Sequence, residues 1–577
     1  PAPRTTCIRK AAWLIAWNPR RADIEYLRDV DMAFAGPDIL YIGTHYDRPV
    51  DHEIDGRGLM VAPGLINAHF HSTATMIRKG ITQDSCNYHL PSFYQCVNLL
   101  QPPDGAKAAT TAFGVGRLLK GGTTTMVDWV APYDGWLDVL AASGARVYAA
   151  PFFTSATWSV HRHRELEFHW LEDGGRALYD KALDQMERAE SHPSGRLGAM
   201  VAPSELEACS ADLLRESAGL ARQTGRPFHV HVAESAREFR YFTRQYGMTP
   251  VQWAAEIGLL GRNRALGHAI FLDHHSQLRW PTRRDLSLIA ETGTTVTHCP
   301  AVFALHGDGM EALGDYLAAG INVALGNDTF PHGMLDEMKC AIMIARLQSG
   351  RDFGRPTHPA PKVASLGAGE VLKSATVAAA DYLGRPDLGR LAPGCKADFF
   401  TVDLTDPDMM PVRDPLRSLI YGAADRAVRD VYVDGAKVVA DGRLLTLDLN
   451  AIALKVQRAQ PQMESRVAGA PDAHGQHPRH DDGEDPSAPV CLPDSAYPRD
   501  GVEGTRGIGG GSGPALPSVD LGYPPPPERR SGSGRDHRSL VLAEADQATD
   551  QPVRGRRPSS ALAQTAAAQP GRAGTLV

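Results

Sequence analysis

The chain has 577 residues, 43% of them hydrophobic and 22% charged, with a formal net charge of −7. These are ordinary globular values that supply no basic footprint for nucleic acid, and the length suits several domains or one large barrel with additions. No uncharged apolar stretch of about 18 residues is present to span a bilayer, and Pro1–Lys10 is not followed by the apolar run of a secretory signal, so a cytoplasmic protein acting on neither membrane nor nucleic acid is expected.

In chain order, two flanking runs, Asp31–Ala35 and Ile39–Gly43, read as strands. From Val61 onwards short apolar, β-branched runs alternate with longer amphipathic segments, the pattern of βα units and a parallel sheet. Eight such runs occur: Val61–His69, Thr123–Trp129, Arg146–Phe153, Leu197–Pro203, Pro227–Ala233, Ala265–Leu272, Thr294–Cys299 and Asn322–Asn327. Helices are expected at Arg176–Glu190, Ala211–Gln223, Leu286–Glu291, Leu335–Leu347 and Glu370–Leu383. Beyond them Ala397–Leu404 and Ala427–Val439 read as strands again, with Asp434-Gly435 a two-residue hairpin signal.

Eight βα units predict an α/β fold, a (β/α)8 barrel over residues 61–384. Residues 1–60 and 385–455 would pair as a composite β-sandwich, leaving 456–577 as a tail. Residues 461–577 hold 16 Pro and 16 Gly and lack Phe, Trp and Lys altogether, so that segment cannot offset the entropy of ordering its backbone and is expected to be disordered. Cysteines 7, 86, 96, 209, 299, 340, 395 and 491 form no Cys-x-x-Cys pair, which fits reduced thiols.

Barrels of this kind place their chemistry at the C-terminal ends of the strands. The residues there are His69 and His71 after run one, His231 and Glu234 after run five, His268 in run six, His298 in run seven and Asp328 after run eight. Imidazoles with a carboxylate suit a borderline divalent metal such as zinc. Two other His-x-His pairs compete. His161/His163 lies in a charged stretch and reads as a polar loop; His229 shares a face with His231 but lies deeper, as a packing residue. Each residue alone could be structural, Asp328 as a helix N-cap for instance; their placement at one end of different strands argues for a site.

Ala62-Pro-Gly-Leu-Ile-Asn-Ala-His-Phe-His71, His231-Val-Ala-Glu234, Gly267-His268, His298-Cys-Pro300 and Leu325-Gly-Asn-Asp328 closely resemble the amidohydrolase superfamily, in its branch of cytosine, guanine and adenosine-type deaminases and triazine hydrolases. Gly389-Arg-Leu-Ala-Pro-Gly-Cys-Lys-Ala-Asp-Phe399 and Val433-Asp-Gly435 resemble that family's sandwich strands, so the likeness covers residues 8–455 or so. The resemblance implies one divalent metal, zinc first with iron, cobalt or manganese compatible, held by His69, His71, His231 and Asp328 together with a water. Binuclear relatives carry a lysine after strand four; here that stretch reads Met200-Val-Ala-Pro-Ser-Glu205, which implies a mononuclear centre, with Glu205 noted beside it but not counted among the ligands.

On this reading the metal lowers the pKa of its water towards about 7, Asp328 and His268 orient it or take its proton, and Glu234 protonates a ring nitrogen or the leaving group. His298 is assigned to substrate binding. Where relatives read roughly Ala-Pro-His-Ala-Pro-Tyr, this chain has Ala202-Pro-Ser-Glu-Leu-Glu207, and after His298-Cys-Pro it places Val302-Phe303 instead of Ser-Asn. Ser204 and Phe303 thus enter the substrate shell, and the segment Gln83–Leu100 lacks the usual Trp-rich pattern. A substrate more apolar than a nucleoside is expected, since unpaired buried polar groups are costly. The expected activity is hydrolysis of a non-peptide carbon–nitrogen bond, as in deamination or dechlorination of a heterocycle, by a homo-oligomer acting on a small molecule. An amide, urea or (thio)carbamate hydrolase, or a catalytically silent scaffold, are the alternatives.

Overall fold

Two extended runs meet at Gly64, where a Cβ would fall 2.1 Å from Thr124 Oγ1, so only glycine lets the chain pass this close to its neighbour. The run Val61–His69, expected as one strand, is therefore divided. In the computed structural model, which describes residues 3–80, 100–161, 165–311, 313–329, 332–352 and 366–468, Leu59–Pro63 pairs antiparallel with Phe399–Asp403, while Leu65–Phe70 starts the barrel.

The barrel is a (β/α)8 barrel of parallel strands in two curled sheets. Leu65–Phe70, Thr123–Val130, Arg146–Phe153 and the short pieces Leu197–Ala199 and Ala202–Pro203 form the first. Phe228–Val232, Arg264–His268, Thr295–His298 and Val323–Leu325 form the second. Parallel bridges Val201↔Phe228 and Glu205↔His231 join them on one side and Phe70↔Asp328 on the other, closing the ring. Ile66, Ala68, Val127, Ala150, Met200, Ala202, Ala265 and Ala324 belong to one buried cluster inside it, mostly small side chains that suit a narrow lumen.

The stretch Glu370–Leu383, expected as one helix, is two, Ala368–Ser374 and Val377–Tyr382, with the helical path broken at Thr376 (φ −138°, ψ −81°). Tyr382 joins the lumen cluster and donates to Phe228 O at 3.4 Å, so the second helix caps the N-terminal end of the barrel. Helices at Arg176–Glu190, Ala211–Thr224, Asp285–Thr292 and Met334–Asp352 cover the expected segments.

The flanks build two facing sheets. One runs in the order Asp38–Gly43, Val30–Ala35, Thr5–Ala11, His52–Asp55; the other is seven-stranded and sets Asp23–Leu27, Trp13–Asn18 and Leu59–Pro63 side by side with four strands from the far end of the chain, joined where Leu59–Pro63 pairs Phe399–Asp403. Phe34, Phe399 and Tyr432 pack between them, with Phe399 and Tyr432 stacked at 4.4 Å. Asp434 (φ 49°) and Gly435 (φ 72°) form the expected tight hairpin between Val428–Val433 and Ala436–Ala440. Arg146, buried on the third barrel strand, binds Asp398 at 2.9 Å and also Asp434, tying barrel to sandwich.

Two further differences stand out. Residues 161–163, expected as a polar loop, include the last residue of a strand: Ala156–His161 pairs antiparallel with Glu165–Trp170, while His163 lies outside the described residues. The segment beyond 456 begins as helix, since Leu449–Ala468 continues through Pro461 and buries Val456 and Met463 against Ile77, Leu100 and Ala106. Residues 469–577 and residues 83–99 of the segment Gln83–Leu100 lie outside the described residues.

Candidate active site

Five of the seven strand-end residues, His69, His71, His231, His268 and Asp328, converge at the C-terminal end of the barrel. His69 and His71 leave the first strand; His231 sits in the fifth, His268 ends the sixth, and Asp328 bridges from the eighth back to Phe70. Ring centroids of His71, His231 and His268 lie 4.8–4.9 Å from that of the fully buried His69. Four non-glycine residues here adopt left-handed backbone: Ala233 (φ 55°), His268 (φ 72°), Ala269 (φ 45°) and Asp328 (φ 52°). Such strain gathers at sites whose side chains must be aimed, and it turns Asp328 into the ring instead of making it a helix cap; the next helix starts only at Met334.

Hydrogen bonding fixes the tautomers. His71 Nδ1 lies 2.8 Å from Trp129 O and His231 Nδ1 3.2 Å from Ser204 O, so each Nδ1–H donates to a carbonyl and each Nε2 faces inward. His71 Nε2 is 3.2 Å from Asp328 Oδ1; burial opposes charging that ring, but the bond and charge of Asp328 outweigh it and raise the ring above the ordinary histidine value. His231 Nε2 is 3.3 Å from His69 Nε2. Three imidazole nitrogens and a carboxylate oxygen turned on one point are a set that a single cation can bridge. His69 Nδ1 and both nitrogens of His268 are buried without a hydrogen-bond partner. Three overlapping donor sets, His69/His71/His231, His69/His268/Asp328 and His231/Glu234/His268, each bring their ligand atoms within 4.8 Å. The residues fit a divalent metal.

Burial, then the neighbouring imidazoles, keeps His69 well below the ordinary histidine range; burial does the same to His268. Neutral rings are what a metal ligand requires. Burial opposes ionisation of Asp328, but the bond to His71 and the surrounding imidazoles outweigh it and hold the carboxyl below its usual value. Glu234 differs. Burial, reinforced by Asp328, pushes its carboxyl up to about 8, and its Oε1 lies 3.7 Å from His268 Nε2. The turn that presents it is held by Glu238, whose carboxylate accepts from the N–H groups of Ala233 and Glu234 at 2.8 Å each.

The remaining candidates line this ring. His298 ends the seventh strand, 4% exposed, and burial lowers it to about 4. Phe303, on the helix Pro300–Leu305, places its ring 4.7 Å from that of His268. Ser204 contributes its carbonyl to His231 and is 5% exposed. His229 is buried below the ring with Nε2 3.0 Å from Thr297 Oγ1, the packing role its depth implied. Glu205 belongs to none of the donor sets among the described residues.

Sequence reasoning missed three contributors. Trp129 floors the site, its ring 4.4 Å from His231 and 4.6 Å from His229. Asn67 and Asn327 bond each other beneath His69. Their polar character at otherwise apolar strand positions was the available signal.

Parallel strands closed into a barrel, with imidazoles and one carboxylate at their C-terminal ends, define the class of metal-dependent barrel hydrolases. The amidohydrolase family model matches residues 60–438, and the chain belongs to the amidohydrolase family. It is similar to proteins named 5-methylthioadenosine/S-adenosylhomocysteine deaminase, from Natronomonas pharaonis (27% identity over 423 residues, 73% of this chain and 90% of that protein) and Bacillus thuringiensis (29% over 435 residues, 71% and 89%). An adenosine deaminase from Xanthomonas campestris with bound zinc shares the fold at a TM-score of 0.67 and 21% identity, covering 81% of this chain and all of that one. So does an atrazine chlorohydrolase from Arthrobacter aurescens complexed with zinc, at 0.65 and 24%, covering 79% and 100%.

Proposed function

We propose that this chain is a zinc-dependent hydrolase that removes an exocyclic amino group from a nitrogen heterocycle. One observation carries the reading: the Nε2 atoms of His71, His231 and His69 and the Asp328 carboxylate are turned on one another, beside a carboxyl group, Glu234, that burial keeps protonated near neutral pH. His69, His71, His231 and Asp328 would hold the metal, which when bound makes a water acidic enough to attack an sp² carbon near neutral pH. The names of the relatives support an aminopurine-like ring as substrate.

The chain's own residues divide the remaining work. Asp328 and His268 orient the attacking water and Asp328 takes its proton. Glu234 gives its proton to the ring nitrogen next to the attacked carbon, so that charge does not build on the ring; the proton held by Asp328 then goes to the departing amine, and Glu234 recovers a proton from the added hydroxyl as the carbonyl forms. Phe303 and His298 offer the ring one apolar and one polar wall, in keeping with a substrate bearing an apolar substituent.

The test is product identification with zinc-loaded protein offered 5′-methylthioadenosine, S-adenosylhomocysteine, adenosine, an aminotriazine, a chlorotriazine and an aryl urea. Ammonia from an aminopurine or aminotriazine is the expected product. Turnover of the aryl urea alone would overturn the deaminase reading, and no turnover by fully metallated protein would favour a silent scaffold.

A further inference from the structure

Behind the metal-facing side chains runs a line of polar groups that join chain segments far apart in sequence. Asn67 Nδ2 donates to Asn327 Oδ1 across 260 residues, and both side chains are fully buried. Asn67 Oδ1 in turn accepts from the backbone N–H of His69 at 3.3 Å and of Asn327 at 3.2 Å. The backbone continues the stitching: Asn327 N and Asp328 N donate to His69 O at 3.2 and 2.9 Å, and His71 N donates to Asp328 O at 3.1 Å. Further out, Asn327 Nδ2 lies 3.4 Å from His332 Nδ1, and His332 Nε2 lies 2.8 Å from Gly114 O in the helix Asp104–Lys120. Gly114 is where that helix comes closest: a Cβ there would stand 2.9 Å from Phe70 and 3.4 Å from His332.

The arrangement acts on geometry. Leu65–Phe70 and Val323–Leu325 are joined here by the bridge Phe70↔Asp328, and Asp328 holds a left-handed backbone (φ 52°), uncommon for any residue with a Cβ. Gly326 leaves no slack, since a Cβ there would sit 2.8 Å from His69 Cβ and N. Something must hold Asp328 in this conformation and keep it in register with His69 and His71. The Asn67 carboxamide does so by bonding the N–H of His69 and of Asn327, the residues beside or within both ligand-bearing turns. A paired carboxamide holds such a register more tightly than apolar contact would, because losing one partner leaves the other buried and unsatisfied.

We propose that Asn67 and Asn327, anchored through His332 to the helix Asp104–Lys120, are positioning residues that set the relative placement of His69, His71 and Asp328 and thereby the affinity and geometry of the metal site. This rests on the reading of those three residues as metal ligands.

The test compares Asn327→Ala, Asn67→Ala and His332→Ala with Asn322→Ala in the full chain. Asn322 is an amide at the opposite end of the eighth strand, bonded to Thr295 Oγ1 and Ala378 O at 2.9 Å each. Measured are zinc retained against graded dipicolinate, the visible spectrum of the cobalt-substituted protein, kcat and KM separately, and thermal unfolding of the metal-free protein. Asn327→Ala and Asn67→Ala are expected to lose zinc to about 10–100-fold less chelator, to change the cobalt spectrum and to lower kcat more than KM. His332→Ala is expected to shift zinc retention the same way but less, and it serves if the asparagine variants fail to fold. Asn322→Ala should lower the unfolding temperature with zinc retention and cobalt spectrum unchanged. Folded variants at 67, 327 and 332 that keep wild-type zinc retention and spectrum would overturn the proposal, as would an equal zinc loss in Asn322→Ala. Wild-type protein that binds no stoichiometric metal would instead overturn the ligand reading beneath it.

Discussion

Glu234 Oε1 stands 3.7 Å from His268 Nε2, and the two side chains share a donor set with His231. A carboxyl group so placed can deliver a proton where the neighbouring imidazole stays neutral. Glu234→Gln keeps the shape and removes the transferable proton. It should retain its metal and lose about 10²–10⁴ in kcat. Metal analysis and steady-state kinetics on one preparation check this; unchanged turnover would remove Glu234 from the mechanism.

His71→Ala deletes a ring whose Nδ1 is held by Trp129 O and whose Nε2 faces Asp328. Loss of bound metal and of activity are expected together. His161→Ala, at the end of a hairpin strand, should change neither, and metal loss on that substitution would mean that the wrong His-x-His pair was chosen.

Gly326→Ala would drive a methyl group to 2.8 Å from His69 Cβ and N. Neither atom can retreat without moving the first strand, so a loss of about 1–3 kcal/mol in stability is expected, with weaker metal retention. Denaturant unfolding of metal-free protein separates the two effects.

Asp285 links folding to pH. Its burial and the charge of Asp273 raise it to about 6, against bonds from Thr249, the Asp273 N–H and Gln252. A folded-state value above the ordinary 3.8 means the folded protein binds this proton more tightly than the unfolded chain. Its contribution is therefore fully present below about pH 4 and lost as pH rises towards about 6. In Asp285→Asn the fall in stability between pH 4.5 and 7 should be smaller by about 2 kcal/mol than in the parent, measured by urea unfolding of metal-free protein. Identical slopes would refute it.

The barrel strands could be read from the chain because parallel strands buried on both faces are continuous apolar runs, and the site because such strands end in His69, His231, His268 and Asp328. The division at Gly64 was not readable: Leu59–Pro63 and Leu65–Phe70 are equally apolar, and only the Thr124 side chain shows why the chain turns there. Thr5–Ala11 and His52–Asp55 mix charge into short strands, so no period stands out. Leu449–Ala468 hid behind Pro461, a residue that ordinarily ends a helix. The pairing of Asn67 with Asn327 is a contact between distant segments, which no local pattern encodes.

The two curled sheets each supply part of the donor ring, His69 and His71 from one, His231 and His268 from the other, with Asp328 at the bridge between them. An ion gripping all of them is thermodynamically linked to ring closure itself. Each tenfold rise in free metal above its dissociation constant should add about 1.4 kcal/mol to global stability, and neither half of the barrel expressed alone should bind the ion with comparable strength. Metal supply would then govern how much of this enzyme stays folded in a cell as well as how fast it turns over.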